Sequence, residues 1–111
     1  MKHTLRLHDK PFVLIESGRK TLEARLYDKK RQSIQVEDEV QFINRTDGRV
    51  LHMKVDKLYM YPNFRTMFEE LGVYVFGGDE LETTLEVMQE YYSVQQQRES
   101  GVVGISIKPL N

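Results

Sequence analysis

GRKTLEARL, residues Gly18 to Leu26, sets three cations, one carboxylate and one hydroxyl among its apolar side chains. Leu22, Ala24 and Leu26 fall on one face of an extended chain, and Thr21, Glu23 and Arg25 on the other. That period of two predicts a strand over residues 21–26, buried on its apolar face. The polar trio then shares one accessible face, with Lys20 just ahead of it. Two readings fit: a ladder of surface ion pairs with neighbouring strands, or the wall of a binding site.

Upstream, Thr4 to Leu7 reads as a short strand with Leu5 and Leu7 on one face. Asp9 is placed to cap a helix, Pro11 sits where its missing N–H costs nothing, and Phe12, Leu14 and Ile15 form the apolar stripe before Gly18. Downstream, Glu39 to Asn44 and Arg49 to Tyr59 read as strands joined by the turn Arg45-Thr-Asp-Gly48, whose Asp-Gly pair is a hairpin signal. Pro62-Asn63 breaks the pattern. Phe64, Met67, Phe68 and Leu71 then recur at helical spacing until Gly72. Gly77-Gly78-Asp79 is a second break with a capping aspartate, followed by a longer helix marked by Leu81, Leu85, Met88 and Tyr92. Val102 to Ile107 is the last strand.

The order is β-α-β-β-β-α-α-β in a single domain over residues 1–111. Strands so separated by helices do not make a sandwich, and regular βαβ alternation is missing. The pattern predicts an α+β fold: a small, mostly antiparallel sheet curled into a barrel with flanking helices.

Sixteen Lys plus Arg against seventeen Asp plus Glu leave a formal charge of −1, which argues against coating long duplex nucleic acid. The charges are nonetheless segregated. Residues 19–31 hold six cations and two acids, and residues 69–90 hold seven acids and no cation. A local basic site suits a small anionic or nucleotide ligand. The acidic stretch is explained by an exposed helix face with carboxylates near its N-terminus. There is no cysteine, which excludes disulfides, thiolate nucleophiles and Cys-ligated metals. His3, His8 and His52 lie in separate elements, so no metal is expected, and no residue pattern calls for a cofactor. No segment approaches the ~20 apolar residues of a membrane span, and cytoplasmic is the default expectation. Tyr91-Tyr92 reads as one buried and one half-exposed ring on a helix.

GRKTLEARL after a short helix, then VEDEVQF, then YPNFRTMF, and finally YYSVQQQRESGVVGISI resemble the ASCH domain, a member of the PUA-like β-barrel superfamily. The likeness covers nearly the whole chain, and its most specific part is the pattern GxKTxExR. One departure is visible: the second block usually begins Gly-Asp and here reads Glu37-Asp38. The resemblance implies an RNA- or nucleotide-binding cleft lined by this block. Some small ASCH proteins are amidohydrolases acting on N4-acetylcytidine through a lysine, a threonine and a glutamate, which is the alternative it raises. A non-enzymatic, protein-binding regulator is a third.

The lysine of that amidohydrolase set matches Lys20. Its threonine position holds Glu23, and Thr21 lies roughly 6–7 Å away along a strand. Its glutamate corresponds approximately to Gly77–Glu80, where Asp79 or Glu80 could serve, Asp79 being taken for the set. The catalytic set, if there is one, is therefore Lys20, Glu23 and Asp79. For binding, Lys20, Thr21, Glu23 and Arg25 supply the polar wall: a point charge, a hydroxyl, a carboxylate able to accept from an exocyclic amine, and a planar fork suited to phosphate or a base edge. Tyr27, Tyr61 and Phe64, with Tyr59 and Tyr74, are candidates for stacking on a base. RNA or a small nucleotide or nucleoside is the expected partner, with no membrane. The oligomeric state is open.

Overall fold

The computed structural model describes residues 1–110. Strand β1 (Lys2–Leu7) leads into helix α1 (Asp9–Glu16), and β2 (Leu22–Leu26) follows. The hairpin β3 (Glu39–Asn44) and β4 (Val50–Tyr61) is followed by α2 (Phe64–Leu71), α3 (Leu81–Tyr91), α4 (Val94–Ser100) and the last strand, β5 (Val102–Pro109). Short 3₁₀ turns lie at Arg31–Ser33 and Tyr74–Phe76.

The five strands form one curled sheet in the order β1-β3-β4-β5-β2, with β1 and β3 parallel and every other pair antiparallel. β5 is buried on both faces. Val103, Ile105 and Ile107 enter a core with Leu5, Phe12, Ile15, Val40 and Phe42, whereas Val102 enters a second with Phe64, Met67, Phe68 and Phe76. Helix α1 therefore covers one face of the sheet, and α2 and α3 cover the other. A register shift between Val55 and Lys57 bulges the long β4 and helps the sheet to curl.

The expected barrel is only half closed. β1 and β2 are the two edges of the sheet and do not pair with one another. Their gap is bridged by a side chain, the Arg25 guanidinium donating to the Arg6 carbonyl at 3.1 Å. The helix order also differs, because the chain breaks after Tyr91 and restarts as α4. Ser93 caps that start and Gln96 returns the bond to the Ser93 N–H, a reciprocal box that S-x-x-Q in SVQQ already spells. Two expected caps have other partners. Asp9 lies inside α1 and accepts from the buried Asn44 amide at 3.0 Å, tying the β3–β4 turn to the helix. Asp79 precedes the actual N-cap of α3, Glu80, and pairs instead with Arg19.

Glu37, where the family pattern has glycine, adopts φ 76°. A side chain in this left-handed region is strained, and glycine is not. The Glu37 carboxylate meets Lys54 and Lys108, but at an exposed position such pairs contribute little. Glu37→Gly is therefore expected to raise the melting temperature by a few degrees. Thermal unfolding followed by circular dichroism checks this, and a fall in melting temperature would show that the ion pairs outweigh the strain.

Candidate functional site

Alternation along β2 divides its side chains as the pattern requires. Leu22, Ala24 and Leu26 join the core under α2 and α3. Glu23 faces the other way yet is only 3 % exposed. It is held between two cations, with Lys20 Nζ 2.7 Å from Oε1 and Arg25 Nε 2.8 Å from Oε2. Burial pushes the Glu23 carboxyl upward, but attraction from Lys20 and Arg25 and their hydrogen bonds win and hold it at about 2. Arg25 is likewise pushed down by burial and raised on balance by Glu23. Glu23 and Arg25 therefore stay ionised at neutral pH in the floor of a cleft.

Above this floor lies a cleft of about 580 Å³. One wall is the β1–α1 corner, with Arg6, His8 and Lys10. The other is the Gly77–Asp79 loop with the Thr83, Val87 and Tyr91 face of α3. Arg45, from the β3–β4 turn, closes one end. Arg19 secures the loop: its guanidinium lies 3.4 Å from the Tyr74 ring centroid, and it donates to the carbonyls of Tyr74 and Gly78 and to Asp79. Gly77 has φ +88° and packs against the floor, where a Cβ would sit 3.1 Å from Leu14 Cδ1 and 3.3 Å from Lys20 Cδ. Only glycine suits both its dihedral and this approach.

Of the residues singled out from the sequence, Lys20, Glu23 and Arg25 converge at the base of the cleft and Asp79 lies at its rim. The Asp79 side chain is 98 % exposed and paired with Arg19. Thr21, Tyr27, Tyr61 and Phe64 do not line the cleft. Thr21 precedes β2 and is fastened by its backbone, its N–H donating to Val75 and its carbonyl accepting from Ile107. Tyr27 packs on the core under α1, and Tyr61 and Phe64 belong to the core under α2 and α3. The rings at the cleft are instead the buried Phe76, Tyr91, which is 53 % exposed, the half-buried Tyr92, and His8, whose ring centroid is 5.8 Å from that of Tyr91. Among the described residues, no cluster of three or more His, Asp or Glu is placed to hold a metal ion. No helix among them is long and apolar enough to cross a membrane.

The ASCH domain family model matches residues 5–111. The chain belongs to the ASCH domain family. The crystal structure of the hypothetical protein PH0355 superimposes on this ASCH domain with a TM-score of 0.88 and 32 % identity, over 98 % of this chain and 99 % of the other. The solution structure of protein PF0455 from Pyrococcus furiosus gives 0.79 and 31 % identity, over 100 % of this chain and 99 % of the other. No curated protein matches the sequence. In this ASCH domain the GRKTLEAR block lies on β2 and its approach, and its Lys20, Glu23 and Arg25 reach the base of the cleft.

Proposed function

We propose that this ASCH domain, whose half-barrel we assign to the PUA-like superfamily, binds a nucleotide or a short single-stranded RNA segment in the cleft. One observation carries the reading: an exposed aromatic ring, Tyr91, stands beside His8 on a cleft whose floor is the ion-paired Lys20–Glu23–Arg25 cluster. Flat rings beside polar groups are how single-stranded bases are held, by stacking on the face and hydrogen bonding at the edge. The volume of about 580 Å³ falls within the roughly 300–1,000 Å³ usual for small-molecule sites. Both Glu23 oxygens are held by Lys20 and Arg25, so a base edge would meet the spare donors of those two cations.

The test is fluorescence anisotropy of labelled short RNAs, with unlabelled nucleotides as competitors. Because Tyr91 is exposed, Tyr91→Ala is expected to leave the fold intact and weaken binding about fivefold or more, from the low end of one base–aromatic stack upward. Equal affinity in the variant for every ligand would overturn the stacking role.

A second reading, hydrolysis of an amide on an acylated nucleoside such as N4-acetylcytidine, is favoured by the Lys20–Glu23 pair buried at the cleft base. Its chemistry is harder to build. A carboxylate held at about 2 is a weak general base. The lining hydroxyls, Thr83 and Thr84, both donate to the Glu80 carbonyl. Release of free cytidine from N4-acetylcytidine, abolished in Lys20→Ala, would establish this reading over pure binding.

A further inference from the structure

We infer that the cleft carries a phosphate subsite made by Arg6, Lys10 and Arg45, so that its ligand is phosphorylated rather than a bare nucleoside. This rests on the nucleotide reading of the same cleft and names the group it recognises there. Several cations of the chain are already engaged. Lys20 and Arg25, the obvious candidates for phosphate in the sequence, both hold Glu23, and Arg25 also spends a donor on the Arg6 carbonyl. Arg19 is taken by Asp79 at the rim, and Arg31, Arg49 and Arg65 each hold a carboxylate elsewhere. A phosphate in this cleft needs other donors.

Arg6, Lys10 and Arg45 line the cleft, and among the described residues their side chains form no ion pair and no hydrogen bond. Their backbones are locked into one corner. Arg6 is in register with Ile43 across the parallel β1–β3 pair, and the Arg45 N–H donates to the Leu7 carbonyl at 2.8 Å. The Asn44 amide holds Asp9, next to Lys10, at 3.0 Å. Asp9 is the acid next to these cations in sequence, and that bond occupies its Oδ1. Three exposed cations are thus carried beside the cleft on segments whose backbones are fixed to one another, with no counter-ion among the described residues. Two guanidinium forks and an ammonium suit the oxygens of a phosphate. The corner also adjoins His8, whose ring stands against Tyr91, so a base stacked there would have its phosphate within reach of the cations.

Calorimetric titration at low salt, with inorganic phosphate, the four ribonucleosides, their 5′-monophosphates and dinucleoside monophosphates, tests the subsite. The expected result has three parts. A monophosphate binds at least about tenfold more tightly than its nucleoside, inorganic phosphate competes with it, and the double variant Arg6→Gln/Arg45→Gln loses both effects. An equal gain for the dinucleoside phosphates identifies an internal diester of RNA as the group held. A gain for monophosphates alone identifies a terminal phosphate or free nucleotide. No advantage of monophosphate over nucleoside, or an advantage retained by the double variant, overturns the subsite. In that case nucleoside binding weakened by Tyr91→Ala would leave the cleft reading standing. Inorganic phosphate binding lost in the double variant, with no contribution from any base, would instead keep the subsite and remove the nucleotide reading.

Discussion

Glu23→Gln is expected to lower the free energy of unfolding at neutral pH by about 3–5 kcal/mol, the cost typical of removing one member of a buried ion pair. The glutamine keeps the shape but leaves Lys20 and Arg25 as like charges in a site that is almost closed to water. The sign of the pH dependence follows from the same contacts. The folded carboxyl titrates at about 2 against a reference of 4.5, so its contribution is fully present above 4.5 and is lost as pH falls toward 2. That difference corresponds to about 3 kcal/mol. Asp38, held at about 2 by His3, Gln35 and the N-terminal ammonium, adds to the loss in the same direction. Comparing wild type with Glu23→Gln in urea at pH 7 and pH 3 isolates the Glu23 share, because Asp38 is common to both. The two proteins should converge in stability as pH falls. Equal stability at pH 7 would show that the buried cluster contributes nothing net.

Phe76→Ala is expected to cost a further large amount, about 3–5 kcal/mol, by the usual toll of a cavity left by a core aromatic. Phe76 is the hinge between core and cleft. Its ring meets Phe68 edge-on at 4.9 Å between centroids, and its tip lies where a Cβ on Gly104 would be 3.3 Å away. It also lines the cleft beside Gly77. Truncation should therefore both destabilise the protein and open the cleft base into the core under α2 and α3. Phe76→Leu, which keeps most of the volume, is expected to cost less than about 1.5 kcal/mol. Urea unfolding of the two variants checks this, and near-equal losses would show that packing against the ring does not matter there.

The strand at the centre of the site was legible because its signal is local. Period two in TLEARL separates Glu23 and Arg25 from Leu22, Ala24 and Leu26, and the structure keeps that division. Of the Tyr91-Tyr92 pair, read as two rings on one helix, only the exposed Tyr91 is helical; Tyr92 is the extended C-cap residue of α3 and is half-buried rather than buried. What escaped depends on tertiary placement. Arg6, Lys10 and Arg45 come from a strand, a helix and a turn, and only the β1–β3 register and the Asn44–Asp9 bond bring them together. Tyr61 and Phe64 looked suited to stacking but follow the bulged β4 to the opposite side, where Phe64 is 1 % exposed. Thr21 shares the parity of Glu23, yet its backbone is drawn out of the cleft by Val75 and Ile107. α4 was missed although its capping box is written in the sequence, because the apolar stripe of α3 ran on through Tyr92.

The proposed ligand site lies between β2, the β1–α1 corner and α3. Titrating ¹⁵N-labelled protein with ribonucleotides and short RNAs while following backbone amide shifts tests it most directly. Saturable shifts are expected at residues 6–10, 20–25, 45, 77–79 and 83–92, with the amides of Asn63 and Arg98, which lie outside the cleft, unmoved. Shifts confined to residues outside the cleft, or no saturable shift with any ligand, would contradict this site.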